Sequence, residues 1–282
     1  MKKKSIAKLL LVLGIFLELS MISFWKAKPT WFVSPLLWLL GGCITVAAGA
    51  YVLLFSKHEN YNPVNENSGK SLFSVFIVFG VLALVVGYFL QQLFIAHPPN
   101  PFESDVIPTL QVLVKRLMRG DHVHAPIPFD GWTVRGAYMP LQYLPFVLAE
   151  WLHMDYRWLA YLFFLAGIFL WIYDAWCRNQ SAIEINGKVI VVFVSLLILQ
   201  KHDVGSLQFS IELLDVAYYL FLAYSFFHPD YRMKVAGLLL CLLSRYAFAF
   251  WLPLYGISFL LEFGKDKTLR AASLVIGGVV LF

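Results

Sequence analysis

An all-α, multi-pass transmembrane fold is predicted by three observations. Hydrophobic residues make up 60% of the 282-residue chain and charged residues only 14%, with a mean hydropathy of +0.72. Apolar runs approaching a bilayer's length, roughly 20 residues, recur from end to end. One long polar stretch, about residues 97–138, interrupts them. A soluble domain is about half apolar and a quarter charged, and an excess of this size cannot be hidden in one core. Composition therefore excludes a soluble enzyme, a disordered chain and a nucleic-acid-binding domain as whole-chain readings. The net charge of +5 bears on membrane orientation, and no nucleic-acid partner is expected.

The elements follow in order within a single integral-membrane domain. Lys2, Lys3 and Lys4 precede an apolar run over 6–25 that lacks a small-residue cleavage site and carries Glu18. It reads as an uncleaved first span with a cytoplasmic N-terminus. Further spans are expected over 31–55 and 72–95, separated by a polar segment with Lys57 and Lys70. Three crossings put the 97–138 loop outside the cytoplasm, as in a plasma (inner) membrane protein. After it, apolar segments cover 139–152, 158–176, 189–199, 207–227, 235–263 and 271–282, giving eight or nine in all. Several are too short to cross straight and read as half-spans packed inside protein. The last covers half a crossing, so further chain is expected beyond it. Orientation after the loop is open. Lys201, Lys265, Lys267 and Arg270 favour one parity, Arg178, Lys188, Arg232 and Lys234 the other, and a re-entrant 139–152 would reverse every later loop. Cys43, Cys177 and Cys241 stand apart and read as small core residues.

The loop carries the candidate chemistry. His97-Pro98-Pro99 cannot continue a helix and turns the chain out of the membrane. Glu103 and Asp105 follow, at the membrane–water boundary, where a partly desolvated carboxylate suits general-base work. Ser104 or Asp105 is also a natural N-cap. Over 106–119, Val106, Leu110, Leu113, Val114 and Leu117 share one helical face opposite Gln111, Lys115 and Arg116, and Gly120 closes the helix. This predicts an amphipathic helix on the membrane surface with cations at headgroup level. His122, His124, Asp130, Arg135 and Tyr138 come next. His-x-His without a fixed third ligand is not read as a zinc site.

The order of these motifs resembles the GT-C superfamily of integral-membrane glycosyltransferases, in particular its polyprenyl-phosphate-mannose-dependent members. An outward loop opens with an acidic pair, a short helix ends Arg116-Leu117-Met118-Arg119-Gly120, and Tyr138-x-Pro140 leads to Pro145. A Leu-rich run from Ala236 reaches Ser244-Arg245-Tyr246 and then Trp251-Leu252-Pro253. The acidic motif is Glu-x-Asp where that group commonly has Asp-x-Asp, and that group usually places the acidic loop after its first span, whereas here two further spans come before 72–95. The resemblance implies transfer of a mannose-like hexose from a polyprenyl-phosphate donor to an extracytoplasmic acceptor. Asp105 would be the base and Glu103 its partner. Arg116, Arg119, Arg135, Arg245 and Tyr138 would bind substrate, and Asp203 is a further candidate. Membrane lipids are the other expected partners. No cofactor is called for, and a divalent metal at the acidic pair is compatible but not implied.

Glu212, Asp215 and Arg245 fall inside apolar runs, where ionisable groups are costly and face partners or a water-filled cavity. Two readings follow: an ion pair that balances buried charge, or a guanidinium fork for a phosphate. A transporter or lipid flippase using these three charges is the rival function.

Overall fold

The computed structural model describes residues 69–136, 138–178, 180–202, 207–245 and 252–281. The expected spans over 6–25 and 31–55, and the N-terminal lysines, lie outside the described residues. The described chain is predominantly α-helical, as predicted. Its helices are α1 (Gly69–Ala96), α2 (Val106–Arg119), α3 (Pro140–Tyr143), α4 (Phe146–Trp151), α5 (Tyr156–Cys177), α6 (Ala182–His202), α7 (Glu212–Phe227), α8 (Tyr231–Ser244) and α9 (Leu252–Leu281). An antiparallel hairpin, β1 (Ile127–Phe129) and β2 (Trp132–Val134), interrupts them, with Ile127 opposite Val134 and Phe129 opposite Trp132.

Among the described residues, two helical segments are long and apolar enough to cross a membrane. Leu72–Ala96 has a mean hydropathy of 2.6 and Tyr156–Cys177 of 1.6. The outer surface of α1 is apolar: Phe73, Ile77, Leu84 and Tyr88 project outward, Leu84 with 76% of its surface exposed, while Val75, Val86, Leu90 and Phe94 are buried. Helix α5 packs against α1, α4, α6 and α7. Helix α7 continues to α8, and α8 to α9.

Four expected boundaries need correction, each for a physical reason. The 139–152 segment does not form one span. Pro145 ends α3 and opens α4, leaving helices of four and six residues, far too short to cross. The 207–227 run becomes helical at Glu212, leaving 16 residues, roughly 24 Å at 1.5 Å per residue. The 235–263 run breaks after Ser244. Arg245 is extended (φ −149, ψ 141) and turns toward the carboxylates of α7. The 271–282 run is the distal part of α9, which loses helical geometry at Gly264 (φ 77, ψ 175). By contrast, 189–199 is only the apolar middle of α6, whose first turns carry Glu184 and Lys188 in an i,i+4 pair at 2.6 Å.

These breaks gather the cations that the sequence divides between two parities. Arg178 lies over the Phe227 ring at 5.4 Å, Lys234 over Phe226 at 5.4 Å and Phe263 at 5.7 Å, and Lys267 over Phe263 at 5.7 Å. Lys234 also donates to Glu262 at 2.6 Å. All sit at one end of the bundle. The loop sits at the other, where Arg157 donates to the carbonyls of Phe94, His97 and Gln208, joining the end of α1, the start of α5 and the approach to α7.

Helix α2 matches its expected bounds. It ends at Gly120 in the left-handed region (φ 74), with Asp121 N–H reaching back to the Arg116 carbonyl. Its apolar face is not spread on lipid, however. Leu110, Leu113 and Val114 are fully buried, and the helix packs on α3 and α4. The short helices cover that face because the chain after the hairpin folds back beneath it. Tyr218 on α7 donates to the Leu141 carbonyl at 2.6 Å, anchoring α3 from below.

Candidate functional site at the loop end of the bundle

Asp105 stands at the N-cap position of α2 but makes no side-chain cap bond; its backbone is αR (φ −84, ψ −7). Ser104 serves locally instead, its Oγ accepting from Val106 N–H at 3.4 Å and donating to the Phe209 carbonyl at 3.3 Å. The capping alternative therefore falls to Ser104, and the Asp105 carboxylate is left for other work. Glu103 is exposed on the same turn, with the Asn100 side-chain amide 3.5 Å from Oε1.

Tyr138 links this carboxylate to the charges of α7 and α8. Its phenol is pushed up to about 12, first by burial and next by the Asp105 carboxylate. Asp215 and Glu212 add to the rise and Arg245 opposes it. One hydroxyl thus feels all four charged groups, although they come from segments more than 100 residues apart. Arg245 Nη1 lies 3.0 Å from Asp215 Oδ2 and 3.7 Å from Glu212 Oε2. Asp215 is 3% exposed, and both its carboxylate oxygens are buried without a hydrogen bond. The 3.0 Å approach is thus a charge contact whose angle is not that of a hydrogen bond. Arg245 balances the carboxylates by charge without spending an N–H donor on Asp215, and its side chain is 40% exposed. The ion-pair reading is therefore present in the structure, in a form that leaves donors to offer.

The remaining candidates separate. Arg116 is committed to the loop: its guanidinium donates to the carbonyls of Val123, Ala125 and Pro126 and braces 123–126 against α2. Arg119 and Arg135 are exposed on the outer surface. Asp203 lies outside the described residues. Among the described residues no group of three or more His, Cys, Asp or Glu side chains is arranged to hold a metal ion. His124 Nδ1 sits 2.9 Å from the Gly136 carbonyl, a structural contact within the loop.

Three features at this end escape the sequence reading. The first is Arg157, 2% exposed, whose Nε and Nη2 reach the Asp155 carboxylate while Nη1 and Nη2 reach three backbone carbonyls. Its sequence position, at the edge of an apolar run, resembles an ordinary interfacial arginine. The second is the hairpin, signalled by Asp130-Gly131 between Phe129 and Trp132; Gly131 takes φ 88 at the second turn position, a left-handed value that favours glycine. The third is a cavity of about 530 Å³ between α8 and the two arms of α9, lined by Leu238, Leu242, Tyr255, Phe259 and Val275 among others. Met139, next to Tyr138, closes one side of it, and Leu242 lies one helical turn before Arg245.

Comparison with known proteins adds no relative: no family model, no curated protein and no solved structure matches the chain.

Proposed function

We propose that the chain is an integral-membrane glycosyltransferase that moves a mannose-like hexose from a polyprenyl-phosphate donor to an extracytoplasmic acceptor. The observation that carries this reading is the position of Asp105. It heads α2 without capping it and shares one electrostatic neighbourhood with Tyr138 and Arg245. Asp105 takes the proton of the acceptor hydroxyl as that oxygen bonds to the anomeric carbon. The bond from that carbon to the phosphate oxygen breaks, and its electron pair leaves on the phosphate. Arg245 stabilises the departing phosphate with the donors it does not give to Asp215. Tyr138 stays a neutral hydroxyl below pH 10 and donates a hydrogen bond. The 530 Å³ apolar cavity beside Met139 suits the isoprenoid chain of the donor.

The membrane arrangement belongs to the same proposal. The apolar helices, α1 and α5 as full crossings and shorter ones packed among them, hold the bundle in the bilayer with the loop outside. Support comes from the cations gathered at the opposite end, Arg178, Lys234 and Lys267, which suit a cytoplasmic face. It also comes from the apolar outer surface of α1, which in water would be a costly patch.

The rival, a transporter or lipid flippase, is favoured by one observation: the buried Asp215 oxygens without a hydrogen bond, beside Glu212 and Arg245, resemble a charge relay. Membranes containing the chain, given polyprenyl phosphate carrying a radiolabelled hexose, separate the two. Chain-dependent release of polyprenyl phosphate with label appearing in an acceptor is expected. Movement of intact labelled lipid between leaflets, with no transfer, would overturn the transferase reading.

A further inference from the structure

The loop presents aromatic surface that neither the fold nor the proposed chemistry uses. Phe102 is 68% exposed and Trp132 38% exposed, and their ring centroids are 5.8 Å apart, edge to face. Phe129, opposite Trp132 in the hairpin and partly buried against the core, lies 5.7 Å from the Trp132 ring and backs it. The rings are held in place. Asn100 Oδ1 accepts from Phe102 N–H at 3.0 Å, and its carbonyl accepts from Glu103 and Ser104 N–H at 3.1 and 3.0 Å, so a tight turn fixes the position of Phe102. The Asp130-Gly131 turn fixes Trp132. Exposed aromatics on a rigid turn and a rigid hairpin, drawn together from 30 residues apart, mark a binding surface rather than leftover core.

We infer that Phe102, Trp132 and Phe129 form a platform for a pyranose ring of a carbohydrate acceptor. A pyranose has a C–H-rich face that stacks on aromatic rings and a rim of hydroxyls that needs carboxylate or amide partners. Both are here: the exposed Glu103 and Asp130 are next in sequence to Phe102 and Phe129, and the Asn100 amide lies 3.5 Å from the Glu103 carboxylate in the turn that carries Phe102. The same two carboxylates argue against an anionic lipid headgroup, which cations attract. This inference deepens the proposed function, on which it rests, by naming the acceptor class. Phe102 lies three residues before Asp105, so a sugar held on the rings brings its hydroxyls to the turn that carries the base. Phe102 and Trp132 are positioning residues for that acceptor.

The test uses the purified full chain in lipid nanodiscs, with methyl α-mannopyranoside and methyl α-glucopyranoside as probes and saturation-transfer NMR as readout. Saturation should reach the ring C–H protons of at least one probe. Trp132→Ala should weaken that binding at least tenfold, Trp132→Phe should restore most of it, and thermal unfolding should be unchanged in both. Binding indifferent to Trp132→Ala, or no binding of either probe, would overturn the platform. So would fluorescence quenching by brominated phosphatidylcholine that disappears in Trp132→Phe, since it would put the ring in lipid. Failure of the transferase reading looks different. Sugar binding that depends on Trp132, without any transfer, keeps the platform and removes the enzyme. Transfer with an unchanged acceptor KM in Trp132→Ala keeps the enzyme and removes the platform.

Discussion

Arg157 and Arg245 stand at the same end of the bundle, and each faces carboxylate charge, one group for Arg157 and two for Arg245, yet their surroundings differ in kind. Arg157 is 2% exposed, and its guanidinium is met by the Asp155 carboxylate and three backbone carbonyls. Arg245 has a side chain 40% exposed and faces two carboxylates, Asp215 at 3.0 Å and Glu212 at 3.7 Å, as charge contacts rather than hydrogen bonds. A buried charge is tolerated only when its donors are satisfied, so Arg157 acts as a rivet joining α1, α5 and the approach to α7. The helix ends meet there with free carbonyls, and one side chain satisfies them. Arg245 terminates α8 instead and leaves a charged, partly open centre. The contrast separates the groups that hold this end together from the groups that can meet a ligand.

The contrast predicts its own failures, and the largest effect belongs to the rivet. Arg157→Gln strips the buried carbonyls of their donor and leaves Asp155 without its cation. A loss of about 3–5 kcal/mol is expected, the usual cost of breaking a buried pair. The check is the yield and melting temperature of detergent-extracted protein, and a variant as stable as the parent would show that Arg157 is not structural. Arg245→Gln comes next. Expected is a protein that loses less stability than Arg157→Gln, because the Arg245 side chain is 40% exposed, and that binds polyprenyl phosphate at least tenfold more weakly, measured on the same preparation. If stability falls as far as in Arg157→Gln, the two arginines do the same work and the distinction fails.

The smallest effect belongs to Tyr138. Its phenol ionises only near pH 12, because burial and the Asp105 carboxylate disfavour the anion. The raised value means the proton is held throughout the working range, and whatever the neutral phenol contributes is lost only as the pH climbs past 10 toward 12. Tyr138→Phe should therefore slow transfer by less than tenfold and leave the shape of the pH–rate profile below pH 10 unchanged. A limb that moves in the variant would make Tyr138 a titrating participant.

Much of the fold was legible because burial in a bilayer writes itself into composition. The helical class, α1, α2 and α5 follow from apolar length, from the Pro98-Pro99 stop and from Gly120. The breaks were less legible, because hydropathy averages over them. Pro145 and Arg245 each interrupt a run whose mean remains apolar, whereas the break at Gly264 falls where the polar stretch 264–270 already separates two apolar segments. The amphipathic face of α2 was read correctly as a pattern and wrongly as to its cover, since periodicity cannot distinguish a lipid surface from two short helices folded beneath it. Of the site, Glu103, Asp105, Tyr138 and Arg245 were named from sequence, and the charges of α7 were known to need a partner. Arg116 was named for a ligand, but its guanidinium holds the loop. Arg157 carried no signal, because the partners that join it to other elements are backbone carbonyls, which every residue possesses. The hairpin did carry one, in Asp130-Gly131.

Asp105→Asn tests most directly the claim that the open end of the bundle carries chemistry. Ser104 holds the start of α2 and Asp105 makes no cap bond, so the substitution should leave the melting temperature of the purified protein unchanged. Transfer of radiolabelled hexose from polyprenyl phosphate should fall by about 10²–10⁴-fold, the usual contribution of general acid–base catalysis. A stable Asp105→Asn protein with undiminished transfer would contradict the assignment.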